Sequence, residues 1–360
     1  MGSLLDLENR YIVKNGLENI KNYFFKTLIN KQSYSMGGEV TPITVAFYIV
    51  PLVNSIIRVG TMEEKERLFL AFVDGHQMVP CNKRGAKGTF EEVAIESARE
   101  CTNARTRQNK ILDEMVEAFE IKIHKYNLLD NKILFIRLED EDNYPSVLNG
   151  LSAMKLSAKF KKPTIVARLN EEGYDRGSMR GLNKSELKSF KKFLEESKYF
   201  EYVSGHDNAA GISIKDKDLT AFHKYANEKL ANYNFNDNVY EVEFSRKASD
   251  KDIKNLIQEI YSYRFLYGQD ISEPIIYIHD INITSKDIQI IGKNADTVKI
   301  EKFGVCYMKF HAKDFIQELA QYNDIKLEII GRANVNCWNN VYTPQIFIDD
   351  YQIKDGSLSF

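Results

Sequence analysis

At 360 residues, with 43% hydrophobic and 28% charged side chains, the chain is too long for one typical domain and has the make-up of ordinary globular protein. A formal net charge of −2 argues against a uniformly basic nucleic-acid binder. Four dispersed cysteines with no CxxC spacing exclude a zinc ribbon and read as reduced thiols of a cytoplasmic protein.

Residues 1–88 read as mostly helical, with NRYIVKNGLENIKNYFF near the start and a second apolar block, PITVAFYIVPLVNSIIRVG, closed by Gly60. No basic stretch followed by an apolar one opens the sequence, and no segment approaches eighteen consecutive apolar residues, so neither a secretion signal nor a membrane span is expected. Residues 89–130 carry an apolar side chain every three or four positions without glycine or proline, which predicts one long connector helix or two abutting ones. Residues 131–230 alternate strand and helix. KILFIRLE (132–139) and PTIVARLN (163–170) are strands around the helix NYPSVLNGLSAMKLSAKF, and SMRGL resumes as strand after the turn EEGYDRG. The helix KSELKSFKKFLEES, a last strand AAGISIK and the closing helix DLTAFHKYANEKLANY complete an α/β sheet domain. Residues 236–355 are rich in short alternating strands, with helices KDIKNLIQEIYSYRF and KDFIQELAQY. That order predicts a small closed β-barrel, with the oligonucleotide-binding (OB) fold leading.

Two segments of the α/β region carry side chains suited to phosphate. RGSMRG (176–181) offers Arg176, Ser178 and Arg180, and SGHDNAAG (204–211) offers Gly205, His206 and Asn208. Glycine lets a backbone approach a ligand, arginine presents a planar fork to phosphate oxygens, and imidazole can donate to an oxyanion. Both segments read as loops at one sheet edge, and a plain turn role for His206 stays open. Residues 151–200 hold twelve Lys and Arg against six Asp and Glu, a local balance of +6 where an anionic partner fits best. The acidic run EDEDNY (139–144) and the pair Asp349 and Asp350 read as solvated faces, not metal sites.

SGHDNAAG with RGSMRG before it resembles the DHH-associated domain of the DHH phosphoesterases, whose hallmark is GGHxxAAG. PLVNSIIRVG (51–60) is similar to the PRxNAxGRxG segment of the RecJ single-stranded-DNA exonucleases, and NARTRQ (103–108) to their interdomain connector. YGQDISEP and NCWNNVYTPQIFIDD resemble RecJ's OB domain. The resemblance covers nearly the whole chain and is nearest to phage and Gram-positive versions. One departure outweighs the matches. The family holds two divalent ions, Mn²⁺ or Mg²⁺, on aspartates and the Asp-His-His motif, and no Asp-His-His occurs in this sequence.

The resemblance implies a helical remnant of the DHH domain (1–88), the connector, a DHH-associated α/β domain and an OB-like barrel. It implies that Arg58, Ser178 and Arg180 hold a strand's terminal phosphate and that Gly205 and His206 face the scissile nucleotide. Trp338 and Tyr342 of the barrel are candidates for stacking on bases, or for capping the barrel end. The expected function is the DNA-binding part of a 5′-to-3′ single-strand exonuclease of recombination, repair or phage DNA metabolism, with no metal held by this chain alone. A partner chain bearing the DHH motif is expected to dock on residues 1–88, leaving an exposed apolar patch there. The alternative is a non-catalytic module that binds single strands or proteins.

Overall fold

The computed structural model describes residues 2–86, 88–139, 142–338 and 341–358, with side chains described up to residue 354 except that of Trp338. Five helices come first: α1 (Leu7–Glu18), α2 (Tyr23–Gln32), α3 (Pro42–Thr44), α4 (Val50–Val59) and α5 (Met62–Val73). A short hairpin, β1 (Met78–Pro80) and β2 (Phe90–Glu92), runs into α6 (Val93–Lys125). Then come β3 (Leu134–Leu138), α7 (Asn149–Phe160), β4 (Thr164–Leu169), β5 (Tyr174–Arg180), α8 (Phe190–Ser197), β6 (Phe200–His206), β7 (Ala209–Lys215) and α9 (Leu219–Lys229). The last stretch holds β8 (Phe244–Lys247), α10 (Ile253–Ser262), β9 (Ile275–Thr284), β10 (Ile288–Ile291), β11 (Thr297–Lys302), β12 (Val305–Lys309), α11 (Lys313–Leu319), β13 (Tyr322–Trp338) and β14 (Val341–Leu358). The chain divides into two compact units: residues 22–32 with 48–239, and residues 1–21 and 33–47 with 240–360.

In the first unit the expected connector is one helix of 33 residues, a rod of roughly 50 Å at 1.5 Å per residue. Its buried side chains, Cys101, Ala104, Gln108, Leu112, Met115, Phe119 and Ile123, recur at helical spacing. The last three pack with Leu134, Ile136, Leu156 and Val166 beneath β3, β4 and α7. Near the other end, Ser55 Oγ of α4 donates to Cys101 O at 3.2 Å. Pro42–Val59 is long and apolar enough to cross a membrane by length and composition, with mean hydropathy 1.6. Its Leu52, Ser55 and Ile56 are nevertheless buried, as in a helix lying on a core.

The five-stranded sheet runs β3-β4-β5-β7-β6, with β3 and β4 parallel and the rest antiparallel. Its two faces differ. One is apolar across all five strands, where Phe135, Ile165, Met179, Ile212 and Val203 meet α8 and α9 residues such as Phe190, Leu194 and Phe222. On the other face the apolar cluster stops at β4, with Val166. Beyond it stand Ser178, Gly211 and Ser204 in register.

Two sequence expectations change here. RGSMRG lies in mid-sheet and not at an edge, its strand starting at Tyr174 instead of Ser178, and SGHDNAAG is a hairpin whose first strand, β6, the sequence reading missed. The helix expected from Lys184 begins at Phe190, because Ser189 caps it by accepting from Lys192 N and Ser185 Oγ is turned onto Leu182 O.

The second unit is a seven-stranded sheet, β10-β11-β12-β14-β13-β9-β8, whose pairs β12–β14 and β8–β9 are parallel. Ile278, Ile281, Val298, Ile300, Tyr307, Leu327 and Ile346 form its core with α10 and α11. The expected closed barrel is not found: among the described residues no ladder joins β10 to β9. The capped 3-10 turn Ser285–Asp287, with Thr284 N bonded to Asp287, separates the two strands.

Gly177 of β5 is fixed by close approach, since a Cβ there would run into Val166 O and Ala167 of β4. Gly177→Ala is expected to cost about 1–3 kcal/mol of stability through overpacking. Urea unfolding should show a lower midpoint at unchanged slope.

Candidate functional site

Side chains alternate along β5, so Arg176, Ser178 and Arg180 share one face and Asp175 and Met179 the other. The pairing extends this across the sheet. Arg180 lies opposite Ala209, and Ala209 opposite His206; Ser178 lies opposite Gly211, and Gly211 opposite Ser204. Arg180 and His206 therefore stand two strands apart on one face, roughly 10 Å by strand spacing, over a floor of alanine and glycine.

Arg180 is half-buried, and its guanidinium fills the space where Gly150, in the first turn of α7, lacks a side chain. Among the described residues its side chain makes one hydrogen bond, from Nη1 to Met179 O at 2.7 Å. Arg58, in the last turn of α4, is close enough to act on it: burial, and then Arg58, hold Arg180 below its ordinary pKa. Burial, and then Arg105 of α6, do the same to Arg58. Among the described residues no carboxylate lies within ion-pair distance of any of these three. The contrast with Arg107 is informative, since it grips Glu64 at 2.6 and 2.8 Å. Three guanidinium groups beside the positive end of a helix leave a field that an anion would neutralise.

Of the other sequence candidates, Ser178 faces the same side as Arg180, half-buried. Arg176 pairs with Glu172 at 3.1 Å and lies over the Tyr174 ring. Gly205 has φ +145°, and a Cβ there would strike Ala209 O and Ala210. His206 is exposed, and its ring makes no hydrogen bond among the described residues. Asn208 is tied into the fold: Nδ2 donates to Lys188 O at 3.1 Å, Oδ1 accepts from Phe190 N at 3.2 Å, and its carbonyl accepts from Gly181 N at 3.0 Å. With Ser189 Oγ donating to Asp207 at 2.6 Å, these bonds lock the hairpin tip onto the start of α8. In the second unit Tyr342 is exposed on β14, and the Trp338 side chain lies outside the described residues. Arg105 was missed by sequence reading, because nothing in NARTRQ tells a paired arginine from an unpaired one.

The carboxylates were tested for a two-ion cage. Asp142 of the acidic run bonds Lys122 and Glu139 N, Asp349 bonds Arg332, and Asp350 bonds Tyr240; Asp140 and Glu141 lie outside the described residues. Among the described residues one group of potential ligands is close enough to share an ion, Cys81, Glu91 and Glu96, with donor atoms within 4.8 Å of one another. The Arg99 guanidinium already sits among them, contacting both carboxylates and lying 3.5 Å from Cys81 Sγ. These residues do not fit a pair of divalent ions.

No protein-family model matches the chain. It is 34% identical over 356 residues to "Putative single-strand DNA-specific exonuclease yorK" of Bacillus phage SPbeta, and equally to the prophage-derived YorK of Bacillus subtilis strain 168. Those alignments take in 97% of this chain and 61% of the relative, so the chain spans about three fifths of their length. It is 24% identical over 372 residues to the single-stranded-DNA-specific exonuclease RecJ of Bacillus subtilis, covering 99% of the chain and 44% of that protein. Among solved structures, RecJ of Thermus thermophilus in complex with Mn²⁺ superposes with a TM-score of 0.62 at 17% identity, over 98% of this chain and 47% of that one. Its complex with Mg²⁺ gives 0.56, also at 17% identity, over 92% and 47%. The chain is thus similar in sequence to part of these exonucleases, and its fold is that of about half of the RecJ chain.

An anion bound by the arginines should stabilise the fold. Inorganic phosphate at ten times its dissociation constant should add about 1.4 kcal/mol, a rise in Tm of about 3–6 °C for a unit of this size. Thermal unfolding in phosphate against chloride at matched ionic strength checks this, and the rise should vanish in Arg58→Met and in Arg180→Met.

Proposed function

We propose that the chain is the strand-holding part of a RecJ-like 5′-to-3′ single-stranded-DNA exonuclease, acting in DNA recombination, repair or phage DNA metabolism in the cytoplasm. The observation that carries this is the unpaired arginine group at the start of α7, on the sheet face shared with His206, in a chain similar over nearly its whole length to single-strand-specific exonucleases. In this reading Arg58 and Arg180 take the strand's 5′ phosphate, and Ser178 donates to it. Gly205 lets the backbone come close to a nucleotide, and His206 donates to the phosphate whose charge grows during cleavage. Asn208 holds the hairpin in place, and Arg176 adds positive charge at the edge of the face. Tyr342 and Trp338 extend the grip by stacking in an OB-like second unit. The parallel β12–β14 pair and the helix α11 between β12 and β13 support that assignment.

Hydrolysis by two metal ions needs a carboxylate cage that these residues do not supply, so Mn²⁺ or Mg²⁺ and its ligands belong to a DHH-bearing part. Two exposed apolar surfaces support a docking role. In one unit α1 buries no residue and exposes Leu7, Tyr11 and Ile12. In the other, Val50, Ile57, Phe69 and Val73 of α4 and α5 are exposed. A second reading is a non-catalytic module that occupies single strands or binds proteins, for which the exposed apolar surfaces of α1, α4 and α5 would equally serve.

Nuclease assays with Mn²⁺ on the chain alone, and on the chain mixed with a DHH-bearing half, separate the two. The first reading expects no cleavage alone and cleavage on mixing; binding of single-stranded DNA with no cleavage in either case would favour the second. Arg180→Ala should weaken binding of 5′-phosphorylated single strands about 10-fold or more, as loss of a charged hydrogen bond worth about 1.5–3 kcal/mol requires. His206→Ala should leave binding nearly unchanged and slow the mixed enzyme by about 10²–10³.

A further inference from the structure

The β1–β2 hairpin belongs to no part of the site described above. Its strands are three residues each, too short to hold their shape alone, yet it is tied down at its base. Asn82 N donates to Glu96 at 3.2 Å, and Arg99 joins Glu91 of β2, Glu96 of α6 and Cys81. Tyr23 stacks on His76 with ring centroids 4.0 Å apart, and His76 bonds Glu92 at 2.9 Å. Glu92 is itself the N-cap position of α6. The hairpin is thus a fixed projection from a long helix.

What it projects is cationic and aromatic. Lys83 and Arg84 are exposed and make no ion pair among the described residues. Gly85 follows with φ +84° and open space where a side chain would stand, so the backbone there is accessible. Cys81 N bonds Thr89 O at 3.0 Å and closes the loop at its root. Directly below, Phe90 pairs in register with Pro80 and is 63% exposed. Of the acidic side chains at the base, Glu91 and Glu96 are engaged by Arg99 and Glu92 by Tyr23 and His76, and none is paired with Lys83 or Arg84 among the described residues. Single-strand binders combine these two features, cations along the backbone and an exposed ring for a base. An acidic protein surface would use the cations and leave the ring unexplained.

We propose that this hairpin is a second contact for single-stranded DNA, with Lys83, Arg84 and the Gly85 backbone on phosphates and Phe90 stacked on a base. The proposal rests on the strand-binding reading above and adds a site outside the arginine group. It is tested on the full chain by titrating labelled oligothymidylate at several salt concentrations, with 5′-phosphothymidine as a probe of the arginine group alone. The Lys83→Ala/Arg84→Ala double variant should lower the slope of log affinity against log salt by about 1.4, two phosphates' worth on a single strand. Over a fourfold rise in salt that is about a sevenfold smaller loss. Lys83→Arg/Arg84→Lys should keep the slope. Phe90→Ala should weaken binding at least about fivefold without changing the slope. All three should bind 5′-phosphothymidine like the wild type and unfold at its temperature. If the wild type binds oligothymidylate and the variants match it, the hairpin assignment falls while the strand-binding reading stands, and the tip passes to an acidic protein partner. If the wild type does not bind oligothymidylate, both fall.

Discussion

Met179 packs into the core under α8 and α9 while Ser178 and Arg180, its neighbours in sequence, face the other way, because successive residues of a strand project to opposite sides of the sheet. A slip of one residue in the β4–β5–β7 register would put two arginines into that core and Met179 into water, so the register is strongly specified. Gly177 reinforces it by letting β5 approach β4. With the register set, Arg180, Ala209 and His206 fall in one row across the sheet, and the small residues between them leave a floor that no apolar cluster covers.

Arginines in this unit are used in two ways. Arg137 pairs with buried Asp175 and with Asp216, and breaking such a buried pair costs about 3–5 kcal/mol because one charge is left alone. Arg58, Arg105 and Arg180 have no such partner among the described residues, and each lowers the proton affinity of a neighbour or is lowered by one. A fold gains nothing from that arrangement. The charges are held in place by helices α4, α6 and α7, whose packing comes from Ile56, Ala104, Met115 and Leu156, side chains that take no part in it. A site whose groups repel until an anion arrives is organised for binding, and the apolar clusters on both sides supply the rigidity it lacks by itself.

The elements with strong periodicity were legible in the sequence. The connector helix, the strands at 134–138 and 164–169 and the long strands of the second unit stand where apolar spacing put them. The resemblance also singled out Arg58, Ser178, Arg180 and His206, and Arg58 lies near enough to Arg180 to lower its proton affinity. What failed has local physical causes. Glycines suggested loops at 176–181 and 204–211, whereas Gly177 and Gly205 serve close strand approach within a ladder. The two-residue turn Asp207-Asn208 between alternating stretches was the available signal for the β6–β7 hairpin. Arg105 was invisible because pairing is a tertiary property: Arg107, two residues on, bonds Glu64, whereas Arg105 is near enough to Arg58 to lower its proton affinity. The hairpin tip went unread for a related reason, since a KRG run in a loop has no partner in sequence to explain it.

The two cationic surfaces of this unit differ in how their surroundings treat acid. Around Arg180 the fold leaves carboxylates out. Under the hairpin it brings them in and ties them down: Arg99 bonds Glu91 and Glu96 and draws Glu91 down to about 2, while burial raises Glu96. The effect on each surface is the same. Positive charge is presented with no acidic side chain paired to it among the described residues, in one case by a half-buried guanidinium beside the first turn of α7 and in the other by an exposed loop. In the proposed reading that division suits a strand held at its end and steadied along its length, because a partly desolvated arginine rewards a doubly charged terminal phosphate more than an exposed one does.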